Sequence, residues 1–131
     1  MKKTKLNYTT ILTELSNDLE TTHQFAIDTR TDLLLGEATL AEYGTYVRFC
    51  LKRVNLIIKA IENLKVSDKI EFIDLLNEAN ELKTSLLKMK AHAGTQKDIT
   101  ASITCNAILK SFMERYTKYI SINDIQEIIN L

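Results

Sequence analysis

The chain has 131 residues, among them no proline, three glycines and two cysteines, and its 17 basic and 17 acidic side chains cancel to zero net charge. That length suits one domain spanning 1–131, two cysteines exclude the disulfide framework of a small secreted module, and the balanced charge lacks the basic excess usual in nucleic-acid domains. Scarce glycine and absent proline leave little material for tight β-turns, so the fold class reads as all-α.

The lysine-rich start, Met1-Lys2-Lys3-Thr4-Lys5, is followed by Leu6-Asn7-Tyr8-Thr9-Thr10 where a signal peptide would need an apolar stretch, so no export by that route is expected. No apolar run approaches the roughly 18 to 20 residues of a membrane span, and a reducing cytoplasm is the expected location, with no membrane partner.

A first helix is predicted from Asn7–Thr9 into the low thirties, with Tyr8, Leu12, Leu15, Leu19, Thr22, Ala26 and Leu33 at helical spacing. The stripe thins at Thr21-Thr22-His23-Gln24 and again from Asp28 to Asp32, which predicts a bend or break after about Phe25. Leu34-Leu35-Gly36 reads as its end, glycine supplying a left-handed cap. Thr39-Leu40-Ala41-Glu42 then opens the second helix as a capping box. Leu40, Tyr43, Val47, Cys50, Leu51, Val54, Ile57, Ile58 and Ile61 form an apolar wall on it. Phe49, Leu56 and Ala60 carry that wall further round, leaving Arg48, Lys52, Asn55 and Lys59 as a narrow polar strip.

Ser67 or Asp68 is expected to cap a third helix that turns Phe72, Leu75, Leu76, Ala79, Leu82, Leu86, Leu87 and Met89 inward and stops at Ala93-Gly94. Its acids precede its lysines, as the helix dipole favours. A weaker capping box, Thr95-Gln96-Lys97-Asp98, starts a fourth helix packing Ile103, Cys105, Leu109, Phe112, Met113, Tyr116 and Ile120. Ser121-Ile122-Asn123-Asp124 reads as one more cap before a short terminal helix bearing Ile125, Ile128, Ile129 and Leu131. Short connections make neighbouring helices antiparallel. The predicted architecture is an antiparallel up-and-down four-helix bundle with a short C-terminal fifth helix.

Chemistry-bearing patterns are absent from the letters. A di-metal carboxylate bundle needs Glu-x-x-His pairs, and neither His23 nor His92 has a glutamate three residues earlier. Zinc would have to gather His23, His92, Cys50 and Cys105 from four helices without close ligand spacing, so surface or boundary histidines and core cysteines are expected. Cys50 lies within an apolar wall, where a thiolate is disfavoured. The glycines at 36, 44 and 94 are too scattered for a phosphate loop. Gly44, inside the second helix, implies close approach of another helix. No catalytic, metal or cofactor-binding residue is assigned, and no cofactor is expected.

Charge is unevenly distributed. Residues 6–35 hold five acids against one base, net −4, whereas 37–65 hold five bases against three acids, net +2. Arg53 falls in the apolar sector of the second helix, and Lys83 and Lys90 on the apolar side of the third. They are expected to snorkel or to pair with carboxylates such as Asp28 and Asp32, unless those faces meet another chain.

The expected function is a non-enzymatic macromolecular interaction, as an assembly subunit, adaptor or inhibitor. The partner is another protein chain, self or heterologous, met through Phe49, Arg53, Leu56 and Ala60 and through Ile125, Ile128 and Ile129. The alternative is a helical subunit of a ribonucleoprotein complex, binding nucleic acid through Arg48, Lys52 and Lys59.

Overall fold

A computed structural model of the chain describes the backbone of residues 3–62 and 70–129, and the side chains of 11–62 and 73–116. These residues form four helices: α1 (Lys3–Leu34), α2 (Leu40–Glu62), α3 (Ile70–Ala91) and α4 (Gln96–Ile129). Each packs on two neighbours, in the cyclic order α1, α2, α3, α4, with no diagonal contact between the described backbones. Side-chain bonds between α1 and α4 fix their directions. Thr13 meets Tyr116, His23 meets Ser102 and Arg30 meets Asp98, so the two run antiparallel. The described part is thus a four-helix bundle, with α1's end, α2's start and the α3–α4 turn gathered at one pole.

Local sequence explains the breaks. At Gly36 the amides of Gly36 and Glu37 bond back to the carbonyls of Leu33 and Asp32, and the glycine takes φ 78°, a Schellman ending that a residue with a Cβ disfavours. Thr39 Oγ1 accepts the Glu42 amide at 3.1 Å, which is the first half of a capping box. The second half differs, because the threonine hydroxyl donates to Glu42 Oε1 instead of leaving that carboxylate to the cap's own amide. Gly94 also has positive φ, 81°, but its amide turns away from α3 and donates to Asp98 Oδ2. The Thr95 hydroxyl donates to the His92 carbonyl, so the box expected at Thr95–Asp98 is replaced by a carboxylate reaching one residue further back.

Two expected breaks are not there. α1 is helical through Phe25, and α4 runs on through Ser121–Asp124 to Ile129 without the separate fifth helix. Polar residues that cap a helix when something interrupts it are tolerated inside one when nothing does, and neither stretch contains glycine or proline. The caps expected at Ser67 or Asp68 lie outside the described residues.

The core is built from Leu12, Leu19 and Ala26 of α1, Tyr43, Val47, Cys50, Val54, Ile57 and Ile61 of α2, Leu75, Ala79, Leu82, Leu86 and Met89 of α3, and Cys105, Leu109, Phe112 and Tyr116 of α4. The inward face of α1 differs from the expected one. Ser16, His23 and Arg30 are buried at the heptad-like steps between those apolar residues, while Leu15 and Leu33 are only half-buried. Leu40, Leu87 and Ile103, expected inside, are exposed. Gly44 likewise has a different setting: a Cβ built there meets only the Arg48 guanidinium of its own helix, at 3.6 Å. No neighbouring helix needs the space. Gly44→Ala should therefore stabilise the bundle by about 1 kcal/mol, read as a raised thermal midpoint, and a lowered midpoint would contradict this packing.

Candidate functional site

Helical geometry brings one set of the sequence-selected residues together. Phe49, Arg53, Leu56 and Ala60 recur at three- and four-residue steps along α2, preceded at the same spacing by Tyr46, and so share a face. Phe25 of α1 joins them. Its ring stacks on Tyr46 with centroids 6.1 Å apart and planes at 28°, and Tyr46 meets Phe49 edge-on at 6.3 Å and 83°. Phe25 is 53% exposed, Phe49 41% and Leu56 51%, so an aromatic row followed by leucine crosses the α1–α2 surface facing water. Ala60 is buried and packs within the core instead. The side chains of Ile125, Ile128 and Ile129 lie outside the described residues.

Arg53 sits within this face, half-buried. Its Nη1 donates to the Phe49 carbonyl of its own helix at 3.1 Å, while its buried Nε has no partner. The expected pairing with Asp28 or Asp32 is not formed: Asp28 accepts from Gln24, and neither acid reaches Arg53. The basic strip, Arg48, Lys52 and Lys59, is exposed, and none of the three makes an ion pair among the described residues; Arg48 bonds only Thr45. Lys83 is half-buried and Lys90 exposed.

A second constellation was not anticipated. Asp98, in the first turn of α4, is fully buried. Its Oδ1 accepts from Tyr43 Oη at 2.6 Å and from Arg30 Nη1 at 3.2 Å, and its Oδ2 from the Gly94 amide at 2.8 Å. One carboxylate thereby ties together α1, α2 and the α3–α4 turn. One turn along, His23 Nε2 lies 3.3 Å from Ser102 Oγ, and the ring is 1% exposed. Burial, with the Arg30 charge adding, lowers the His23 pKa to about 4 against a smaller opposing pull from Asp98, so the imidazole is neutral at physiological pH. Burial and the bond to Asp98 push the Tyr43 phenol upward. The deeply buried carboxylate with three donors from three parts of the chain forms a polar clamp.

The thiols are equally inert. Burial raises Cys50 and Cys105 to about 12 each, Cys105 adding to the shift at Cys50 and Arg53 opposing it. Among the described residues no group of three or more His, Cys, Asp or Glu side chains is placed to hold a metal ion. No described helix is long and apolar enough to cross a membrane. No protein-family model, curated protein or solved structure matches the chain.

Proposed function

We propose that the protein is a non-enzymatic, cytoplasmic interaction module, which binds another protein chain through the α1–α2 face bearing Phe25, Tyr46, Phe49 and Leu56. The observation that carries this reading is the exposed aromatic row with Arg53 embedded in it and lacking an acidic partner. Large rings contribute most to association when they bury fully, and a guanidinium among them adds a directional anchor for a carboxylate. The partner that fits is an apolar helix carrying an aspartate or glutamate opposite Arg53, on a second copy or on a different chain. The terminal ridge of Ile125, Ile128 and Ile129 is a further candidate contact.

Sedimentation velocity at micromolar concentration tests self-association, and affinity capture tests a heterologous partner. Phe49→Glu and Leu56→Glu should each weaken the association at least about tenfold, whereas Ile103→Glu, on exposed α4 surface, should leave it intact. A protein that stays monomeric and captures nothing through this face overturns the proposal.

Nucleic-acid binding is favoured by one observation, the absence of ion pairs at Arg48, Lys52 and Lys59 among the described residues. Arg115 does not extend that strip, because it lies 2.7 Å from Glu78 and 3.6 Å from Asp74. Salt-dependent oligonucleotide retention that disappears in Arg48→Glu/Lys52→Glu would select this reading instead.

A further inference from the structure

The two helices of the aromatic face carry opposite charge. Between Ile11 and Leu34, α1 exposes Glu14, Asp18, Glu20, Asp28 and Asp32, and its single base there, Arg30, is buried against Asp98. α2 holds Arg48, Lys52, Arg53 and Lys59, with its two acids, Glu42 and Glu62, near its ends. None of these five α1 acids and four α2 bases makes an ion pair among the described residues. Asp18 and Asp32 stand seven residues either side of Phe25 and so share its stripe, as Arg53 shares the stripe of Phe49.

The ring stack sets the register between the rails. α1 and α2 are antiparallel neighbours joined through Gly36, and Phe25 stacking on Tyr46 puts those two at one height. Seven residues back along α1 from Phe25 is Asp18, and seven forward along α2 from Tyr46 is Arg53. Both therefore lie about 10.5 Å further from the Gly36 pole. They stand level without pairing: Asp18 is exposed, while Arg53 turns back onto the Phe49 carbonyl with its buried Nε unmatched. A two-fold axis between two such faces and parallel to the helices keeps every height and exchanges the rails, so that α1 of one copy covers α2 of the other. An axis perpendicular to the helices instead lays α1 on α1 and α2 on α2, setting acid on acid and base on base, which repulsion disfavours.

We propose that this face is the interface of a homodimer whose two-fold axis runs along the helices, and that the acid missing at Arg53 is Asp18 of a second copy. The inference rests on the reading of the α1–α2 face as a binding surface and names its occupant. Symmetry makes the contact twice, Asp18 of each copy facing Arg53 of the other. At the next height the rings of Phe25, Tyr46 and Phe49 meet their counterparts. Association thereby removes the exposed aromatic row from water and matches a guanidinium whose Nε is idle in the single chain.

Sedimentation equilibrium of the full chain at an ionic strength of about 0.15 M should show a dimer that dissociates in the micromolar range. Asp18→Lys and Arg53→Glu should each weaken it at least about tenfold, because each sets like charges opposite one another. An equimolar mixture of the two variants should dimerise nearly as tightly as the parent, since the mixed dimer restores an opposite-charge pair at both places. An ion pair made within one chain, or an axis perpendicular to the helices, gives no such recovery. Asp18 is exposed, so Asp18→Lys tests the contact even if Arg53→Glu fails to fold. A dimer unmoved by Asp18→Lys, or a mixture no tighter than its components, would overturn the proposal. A parent that stays monomeric to about 100 μM yet captures a different chain through Phe49 overturns the second copy alone and leaves the face as a binding surface. A monomer without such capture, or a dimer insensitive to Phe49→Glu, overturns both.

Discussion

Asp98→Ala should lower the unfolding free energy by about 3–5 kcal/mol, because it strands a buried guanidinium, a phenol and a backbone amide at once. Typical domains have a total of only about 5–15 kcal/mol, so the urea midpoint should fall steeply or the variant should fail to fold. Tyr43→Phe provides the graded comparison. It deletes one donor and leaves the carboxylate with Arg30 and Gly94, so a loss of about 1–2 kcal/mol is expected. Replacing the ion pair outright, as Arg30→Met/Asp98→Leu, should recover part of the loss seen in Asp98→Ala, since no unmatched charge then remains buried. The clamp is refuted if Asp98→Ala shifts the midpoint no further than Tyr43→Phe does.

Acid should weaken the bundle through His23. The folded state holds this imidazole neutral down to about pH 4, whereas the unfolded chain protonates it near the ordinary histidine value of about 6.5. Between those values the unfolded state carries more protons, so stability falls as pH drops through 6.5 and the loss levels off below 4. The full loss is about 3 kcal/mol. Carboxylates contribute their own pH dependence in the lower part of this window, so the discriminating measurement is a difference. His23→Gln keeps a hydrogen-bonding group for Ser102 but cannot titrate, and its urea midpoint should depend less on pH between 6.5 and 4.5 than that of the parent. Equal slopes in the two proteins would show that His23 is not held neutral by burial.

Most of the fold is legible in the letters because helix punctuation is local. Gly36 and Gly94 end their helices with positive φ, and Thr39 begins the next one, each through contacts spanning a few residues. The extended terminal helix was missed because Ser121–Asp124 has the composition of a cap, and composition does not say whether a helix is interrupted there. The polar clamp was illegible for a different reason. Asp98 looks like an ordinary first-turn acid until Arg30 and Tyr43 arrive from positions 68 and 55 residues away. A signal did exist: His23 and Arg30 fall on the same heptad-like series as Leu12, Leu19 and Ala26, so reading that series strictly, without favouring Leu15, puts both side chains inside. On the α1–α2 face, spacing grouped Phe49, Arg53 and Leu56 correctly. It could not supply Phe25, whose ring joins from another helix, or withdraw Ala60 into the core.

The buried carboxylate also governs axial register. Rods lined with leucine, isoleucine and alanine can slide past one another by one helical turn, about 5.4 Å, and still bury comparable apolar area. Such a slip would carry Asp98 away from Arg30, Tyr43 and the Gly94 amide and leave all four groups unmatched in the interior, a penalty that apolar repacking cannot offset. The clamp therefore selects a single alignment of α1, α2 and α4, and with it sets where the rings of Phe25 and Tyr46 meet on the outside of the bundle.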